Sequence, residues 1–347
     1  MQKKGNKYGI HRVIEPKNVL PQPANKVDNN MDEIYDNEIL INVQTLNIDS
    51  ASFTDISKRA GGKLDKIAEI MIDIVKKQGK HRNPWTGSGG MLLGTVEQIG
   101  DAIKDKIDLK VGDKIATLVS LSLTPLRIDK IKEIRPEIDQ VDIDGKAILF
   151  ESGIYAKIPT DMPENLALSA LDVAGAPAQV AKLVKPGDTV LIIGAGGKSG
   201  MLCCYEAMKR AGVTGKVIGM CHSEKSTKRL QDLDFCDEVF AGNAAESVSV
   251  MEKVEKLTNG KMCDIVINNV NIPDTEMTSV LCTKDDGLVY FFSMSTSFTK
   301  AALGAEGVGK DVTMIIGNGY TKGHAEITLQ ELRECPKLRK IFEDLYA

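Results

Sequence analysis

The sequence predicts an α/β protein: a doubly wound parallel sheet joined to an antiparallel, barrel-like β domain. Three observations carry this. After position 186, apolar strand candidates alternate with helices, giving six strands in roughly 130 residues. A glycine-rich turn, Gly194-Ala195-Gly196-Gly197-Lys198-Ser199-Gly200, follows the first of those strands directly. Before position 160 the strands are short and punctuated by glycine, as in antiparallel barrels.

In the first part, 38–46 reads as a strand, 94–100 alternates with a glycine at each end, and 111–118 supplies a turn and a strand. Residues 147–150 and 154–158 pair around Ser152-Gly153. Leu64, Ile67, Ile70, Met71, Ile74 and Val75 fall at helical spacing, with Lys66, Asp73, Lys76 and Lys77 between them. That pattern predicts an amphipathic helix over 63–78.

In the second part the strands are 189–193, 216–220, 238–240, 264–268, 288–292 and 312–316. Helices are expected up to Ala211, from Lys225, over 245–258 and over 275–282. Strands apolar throughout imply a parallel sheet buried on both faces. Asn318-Gly319 is a turn signal, and 326–346 reads as helix broken at Pro336.

The chain has 347 residues, enough for about two domains. Its net charge of −4 and pI near 5.7 argue against nucleic-acid binding. No apolar run is long enough to span a membrane, and the basic start lacks the apolar segment of a secretory signal. The seven cysteines are odd in number, lack metal-type spacing and all stand at or beyond Cys203. They predict reduced thiols in a cytoplasmic protein.

The glycine-rich turn is the clearest functional signal. Glycines let the chain turn tightly after a strand and bring backbone N–H groups against a pyrophosphate, and the helix that follows adds its positive end. Gly194, Gly196, Gly197, Lys198, Ser199 and Gly200 are therefore cofactor-binding candidates. His222 and Ser223 end the second sheet strand, where a carboxylate usually holds the ribose of NAD; its absence leaves both NAD and NADP open. Asn269 and Val270, after the strand 264–268, and Ser293, after 288–292, complete the cofactor set. A Walker-type loop is excluded because Ile192 stands where that frame needs glycine.

Several stretches together resemble the medium-chain dehydrogenase/reductase superfamily: Gly94-Thr95-Val96-x-x-Ile99-Gly100, Val111-Gly112-Asp113-Lys114-Ile115, and Val184-Lys185-Pro186-Gly187-Asp188-Thr189-Val190 leading into the glycine-rich turn. The resemblance implies a GroES-like catalytic barrel over 1–165 with 318–347, and a Rossmann-type dinucleotide domain over 166–317. It also implies an active site between them, and a homodimer or homotetramer. Zinc-dependent members carry a cysteine after the first long strand and Gly-His-Glu before the Gly-x-Val strand. This chain reads Asn47-Ile48-Asp49-Ser50-Ala51-Ser52 and Gly87-Ser88-Gly89-Gly90-Met91 there, so no zinc is expected.

More narrowly, Tyr8-Gly9-x-His11-Arg12-Val13-Ile14-Glu15-Pro16, the stretches 45–53, 148–155 and 171–178, and the segment from Tyr290 to His324 resemble the diaminohexanoate dehydrogenase family of lysine fermentation. That resemblance implies NAD-dependent oxidative deamination of a small diamino acid, giving a 3-oxo acid and ammonia.

Such chemistry needs carboxylates for the ammonium groups, a base and a cation for the acid. Asp49, Asp172 and His324 are the catalytic candidates, against capping or turn roles for the two aspartates. Ser50, Ser52, Glu151, Lys300 and Tyr320 are the substrate-binding candidates, with Lys322 and Glu306 as weaker ones. Two other readings stand beside this one: a zinc-free quinone or enoyl reductase, and a non-catalytic dinucleotide-binding protein.

Overall fold

The computed structural model describes residues 2–317 and 319–347, so the expected turn residue Asn318 lies outside the described residues. The chain forms two compact units, Met1–Asp172 with Leu345–Ala347, and Val173–Asp344.

The first unit begins with a small antiparallel pair, β1 (Val13–Glu15) and β2 (Lys26–Val27). It continues through β3 (Glu38–Ile48), α1 (Ser50–Arg59), α2 (Leu64–Gln78), β4 (Gly90–Ile99), β5 (Lys114–Thr117), β6 (Leu126–Arg135), β7 (Gln140–Phe150), β8 (Tyr155–Lys157) and α3 (Glu164–Leu171). Six strands pair antiparallel in the order β6-β7-β3-β4-β5-β8. The core of this sheet is made by β-branched and leucine side chains such as Ile41, Val43, Leu46, Leu92, Val96, Ile115 and Ile143.

The expected helix forms as α2, and Ile67, Met71, Ile74 and Val75 join that core while Leu64 stays exposed. Each such buried side chain contributes about 1.5–3 kcal/mol from lost water contact. Helix α2 is thus a core element of the barrel unit. Gly79 ends it in the left-handed conformation, with its N–H on Val75 O.

Two elements here go beyond the sequence reading. The segment after Asp49 is the helix α1, buried through Phe53 and Ile56, where turn chemistry was expected. Strand β6 is an edge strand whose charges pair within the sheet, as Arg135 does with Asp142 at 2.6 Å. Charged edges of this kind block pairing with other chains.

The N-terminal segment is fastened to β3 by a buried ion pair. Arg12 Nε and Nη2 donate to Glu38 at 2.9 and 2.7 Å, and His11 Nε2 lies 2.7 Å from the same carboxylate. Burial alone would raise the Glu38 pKa, but the bonds from Arg12 and His11 hold it down to about 2. The His11-Arg12 stretch is architectural.

The second unit runs α4 (Gly175–Leu183), β9 (Thr189–Ile193), α5 (Lys198–Ala211), β10 (Lys216–Cys221), α6 (Glu224–Leu233), β11 (Glu238–Ala241), α7 (Ser247–Leu257), β12 (Cys263–Asn268), α8 (Glu276–Cys282), β13 (Thr283–Phe291), α9 (Phe298–Val308), β14 (Val312–Ile316), α10 (His324–Glu334) and α11 (Pro336–Tyr346). The strands are all parallel in the order β11-β10-β9-β12-β13-β14. All six expected strands are present within a few residues of their predicted bounds. Val190 through Ile193 are fully buried, as a central strand covered on both faces requires.

The unit boundary differs from the sequence reading, which placed 318–347 with the barrel and began the second domain at 166. Residues through Asp344 group with the second unit. Thr328 Oγ1 on α10 donates to Ala174 O at 3.4 Å, and Glu334 pairs with Lys209 on α5. All seven cysteines are free thiols, six of them buried.

Candidate active site

In a sheet of this order the direction of winding reverses between β9 and β12, and ligands bind at the carboxyl ends of strands at such a switch point. The glycine-rich turn leaves β9 there, and Asn269 and Val270 leave β12 beside it. Gly194 has φ +82°, a conformation that favours glycine, and its N–H bonds to Met220 O at 3.0 Å. A Cβ on Gly200 would stand 2.1 Å from Gly194 O, so only glycine lets α5 start this close to the strand. Gly197 caps α5, and a Cβ there would meet only Gly194 O, at 3.4 Å, leaving open space in front of the helix end.

Lys198 and Ser199 open the first turn of α5, whose N–H groups have no intrahelical acceptor. Arg229 Nη2 on α6 donates to Gly196 O at 2.7 Å and fixes the turn from behind. Asn269 N–H bonds to Ile193 O at 3.0 Å, while its side-chain Nδ2 is buried without a hydrogen-bond partner. Open space at Gly197 and an orphaned donor at Asn269 fit a dinucleotide. Ser293 N–H bonds to Asn268 O at 3.2 Å, also at the carboxyl edge. His222 is exposed at the end of β10. Ser223 is occupied as the cap of α6, its Oγ accepting from Ser226 N–H at 3.2 Å.

In the first unit, the two segments quoted above for the missing zinc ligands converge. Gly89 N–H donates to Asp49 Oδ2 at 2.9 Å. Asp49 stands at the start of α1 but makes no capping bond, so the capping role is corrected. Its pKa is raised, first by burial, then by the carboxylate of Asp172, with a smaller push from Asp139. Asp172 ends α3, its N–H on Leu168 O at 3.1 Å. The structure thus brings Asp49 and Asp172 into one electrostatic site.

Ser50 Oγ donates to Asp139 Oδ2 at 2.5 Å on the exposed side. Ser52 is buried and bonds to Ser88 Oγ at 2.5 Å and Thr86 Oγ1 at 2.7 Å, so it faces neighbouring hydroxyls and not solvent. Sequence reasoning missed Ser88 and Thr86. The signal available was the position of Gly87-Ser88-Gly89, which was read only for the histidine it lacks.

Glu151 is removed from this cluster. In the β3–β7 ladder Asn47 pairs with Gln140 and Glu38 with Phe150, so Glu151 lies at the end of the ladder opposite Asp49. Ten residues of strand separate them, roughly 30 Å. Glu151 accepts instead from Asn37 Nδ2 at 3.1 Å. Lys300 is exposed on α9 and ion-paired with Asp274. Glu306 is exposed on the same helix. Tyr320 and His324 pack edge to face with ring centroids 5.2 Å apart. His324 is 4% exposed, and burial lowers its pKa, so the imidazole is neutral near pH 7. Lys322 is exposed. Among the described residues no group of three His, Cys, Asp or Glu side chains could hold a metal ion, and no helix is long and apolar enough to cross a membrane.

The folds of the two units are those of quinone oxidoreductases and enoyl reductases of known structure. The Escherichia coli quinone oxidoreductase complexed with NADPH superposes with a TM-score of 0.51 at 17% identity, over 90% of this chain and 81% of that one. Residues 11–159 match the family model described as the L-erythro-3,5-diaminohexanoate dehydrogenase N-terminal domain. Proteins named L-erythro-3,5-diaminohexanoate dehydrogenase from Acetoanaerobium sticklandii and Fusobacterium nucleatum subsp. nucleatum are 65% and 62% identical, each over 99% of both chains. The chain belongs to the L-erythro-3,5-diaminohexanoate dehydrogenase family.

Proposed function

We propose that this protein catalyses the NAD-dependent oxidative deamination of L-erythro-3,5-diaminohexanoate to 5-amino-3-oxohexanoate and ammonia. The observation that carries it is the Asp49–Asp172 carboxylate pair, a cation-seeking site suited to a substrate with two ammonium groups. A quinone or enone would find no counter-charge there. When bound, the nicotinamide supplies the hydride acceptor. Asp49 takes a proton from the 3-ammonium, aided by its raised pKa, and the freed amine lets the C3–H bond break as hydride. Asp172 holds positive charge beside it. Water then adds at C3, and ammonia leaves as the ketone forms.

The phosphates would rest on Gly194, Gly196 and Gly197 and the first turn of α5, with Asn269 Nδ2 as a further donor. Near the β10 end Lys228 pairs with Asp232, Arg229 with Gly196 O and Ser223 with its helix cap, while the exposed Lys225 leaves NADP open beside NAD. The donor set also favours a reaction without zinc, since Asp49 and Ser88 stand where cysteine and histidine ligands would be needed. The test is to add L-erythro-3,5-diaminohexanoate with NAD or with NADP and measure NAD(P)H and ammonia in one tube. Equal yields with NAD support the reading. Turnover of quinones or enones, with none of the diamino acid, overturns it.

A further inference from the structure

A single peptide links Asp49 to the loop 83–88. The peptide between Ser88 and Gly89 accepts at its carbonyl from Asn83 N–H at 2.9 Å, and at its other end Gly89 N–H donates to Asp49 Oδ2 at 2.9 Å. A peptide is planar, so fixing its carbonyl fixes the direction in which its N–H donates. The donor is also closely packed: a Cβ on Gly89 would stand 2.6 Å from Ser122 N and 2.7 Å from His81 O.

Asn83 holds the far end of this link. It is fully buried at the base of a loop whose tip, Pro84 to Thr86, is exposed. Its Oδ1 accepts from Trp85 N–H at 2.8 Å and Thr86 N–H at 3.3 Å, and its C=O accepts from Gly87 N–H at 2.8 Å, which closes the loop on itself. Its Nδ2 donates to Ser52 O at 3.3 Å and to Asp55 Oδ2 at 3.2 Å. Both acceptors belong to α1, the helix that begins directly after Asp49. Asn83 therefore ties the donor, Gly89, and the acceptor, Asp49, to one common point. An asparagine suits this place because one side chain both accepts and donates; aspartate would lack the donor.

We propose that Asn83 is a positioning residue of the reaction: its side chain keeps the Gly89 N–H on the Asp49 carboxylate, and so keeps that carboxylate ionised and aimed at the substrate ammonium. This rests on Asp49 being the proton acceptor of the reaction proposed above. Burial, then the charge of Asp172 and, less strongly, that of Asp139 favour the neutral acid at Asp49, whereas the N–H of Gly89 favours the anion. Without that donor Asp49 keeps its two acidic neighbours and loses a group that offsets them. A base that stays protonated over more of the pH range works only at higher pH.

In the full-length enzyme, Asn83→Ala should move the acid limb of the kcat/KM profile up by about one pH unit, the effect of one hydrogen bond to a charged group. The plateau kcat should fall roughly tenfold, with cofactor affinity within about twofold. Asn83→Ser keeps an acceptor for the loop N–H groups but loses the amide donor to α1, so its limb should fall between those of Asn83→Ala and the wild type. It carries the test if Asn83→Ala does not fold. Arg59→Leu is the control for loosening alone. Arg59 stacks on Trp85, 3.5 Å from the ring centroid, and pairs with Asp55 at 3.0 Å, so its loss loosens the same loop from outside. That variant should melt at lower temperature with its limb in place. A limb that stays at the wild-type position in both Asn83 variants, or one that Arg59→Leu moves as far, overturns the assignment. Asp49→Asn separates this role from the reading it rests on. If it retains turnover, the assignment of Asp49 as base fails. If it is inactive while the Asn83 variants keep the wild-type profile, only the role of Asn83 fails.

Discussion

Asp49 and Asp172 lie near enough for the charge of one to raise the pKa of the other, although the two residues are far apart in sequence and sit on opposite ends of different helices. A buried carboxylate beside a second one is destabilising in the empty protein and becomes favourable when an ammonium group enters. Asp49→Asn is therefore expected to lower kcat by about 10²–10⁴-fold while leaving cofactor affinity unchanged. The same change should make the protein more stable at neutral pH. The folded pKa of Asp49 is raised, so above the ordinary aspartate range folding must take up a proton or carry an unwilling charge, and stability falls as pH rises from that range through the raised value. Turnover assays with urea melts at neutral pH check both halves.

Asp172→Asn gives a different signature. Without its charge the largest electrostatic push on Asp49 disappears and only burial and Asp139 keep the pKa up. The acid limb of the kcat/KM profile should move to lower pH, and KM for the diamino acid should rise because one counter-charge is gone. A limb that stays in place would place the observed ionisation elsewhere, with His324 the first residue to examine.

The glycine-rich turn separates fold from binding. Gly197 faces open space, so Gly197→Ala should fold and bind nearly normally, whereas Gly197→Asp should fold yet lose cofactor binding by at least about a hundredfold, because its charge opposes the phosphates. Gly200→Ala should instead damage the fold, since its Cβ would press on Gly194 O and Ala195 Cα. Fluorescence titration with NADH and thermal melts distinguish the three.

Prolonged dialysis against a chelator should leave the rate unchanged. Ser88 is no replacement for imidazole, Asp49 alone is a single ligand, and no cysteine precedes Cys203. Activity that falls and returns with zinc would contradict this.

The parts of this protein that could be read from sequence are those whose cause is local. Strand β9, its glycine turn and helix α5 follow from an apolar run, a residue that must take positive φ and a close helix approach, all within a dozen positions. Helix α2 was legible because its apolar residues repeat at the helical period. Strand β6 was not: its sequence, Leu-Arg-Ile-Asp-Lys-Ile-Lys-Glu-Ile-Arg, is stabilised by pairing to β7 and by cross-strand charges, and both lie outside the segment. Asp49 and Asp172 could be nominated singly, but their coupling depends on tertiary placement. Glu151 was nominated for its chemistry and displaced by strand register. Ser88, Ser52 and Thr86 carry no special signal as hydroxyl residues, and only their mutual distances make them a cluster.

A last expectation concerns the buried acids of the second unit. Glu331 on α10 is fully buried, and neither of its carboxyl oxygens has a hydrogen-bond partner. Its pKa is raised, first by burial and then by Glu206 on α5, which itself bonds to Arg210 at 2.7 Å and lies 3.3 Å from Lys209. Glu206 takes the available cations, so Glu331 keeps its proton in the folded protein. In the unfolded chain the same carboxyl ionises near about 4.3. Between that value and the raised folded one, the folded state binds one proton more than the unfolded state, and stability falls as pH rises. Below it both states are protonated and the difference vanishes. Glu331→Gln has the shape of the neutral acid and cannot ionise. It should match the wild type at about pH 4 and exceed it at about pH 8, with each kcal/mol gained appearing as about 2–4 °C in Tm for a unit of this size. Thermal melts at the two pH values decide it: an equal shift at both would mean that packing, and not the proton, sets the difference.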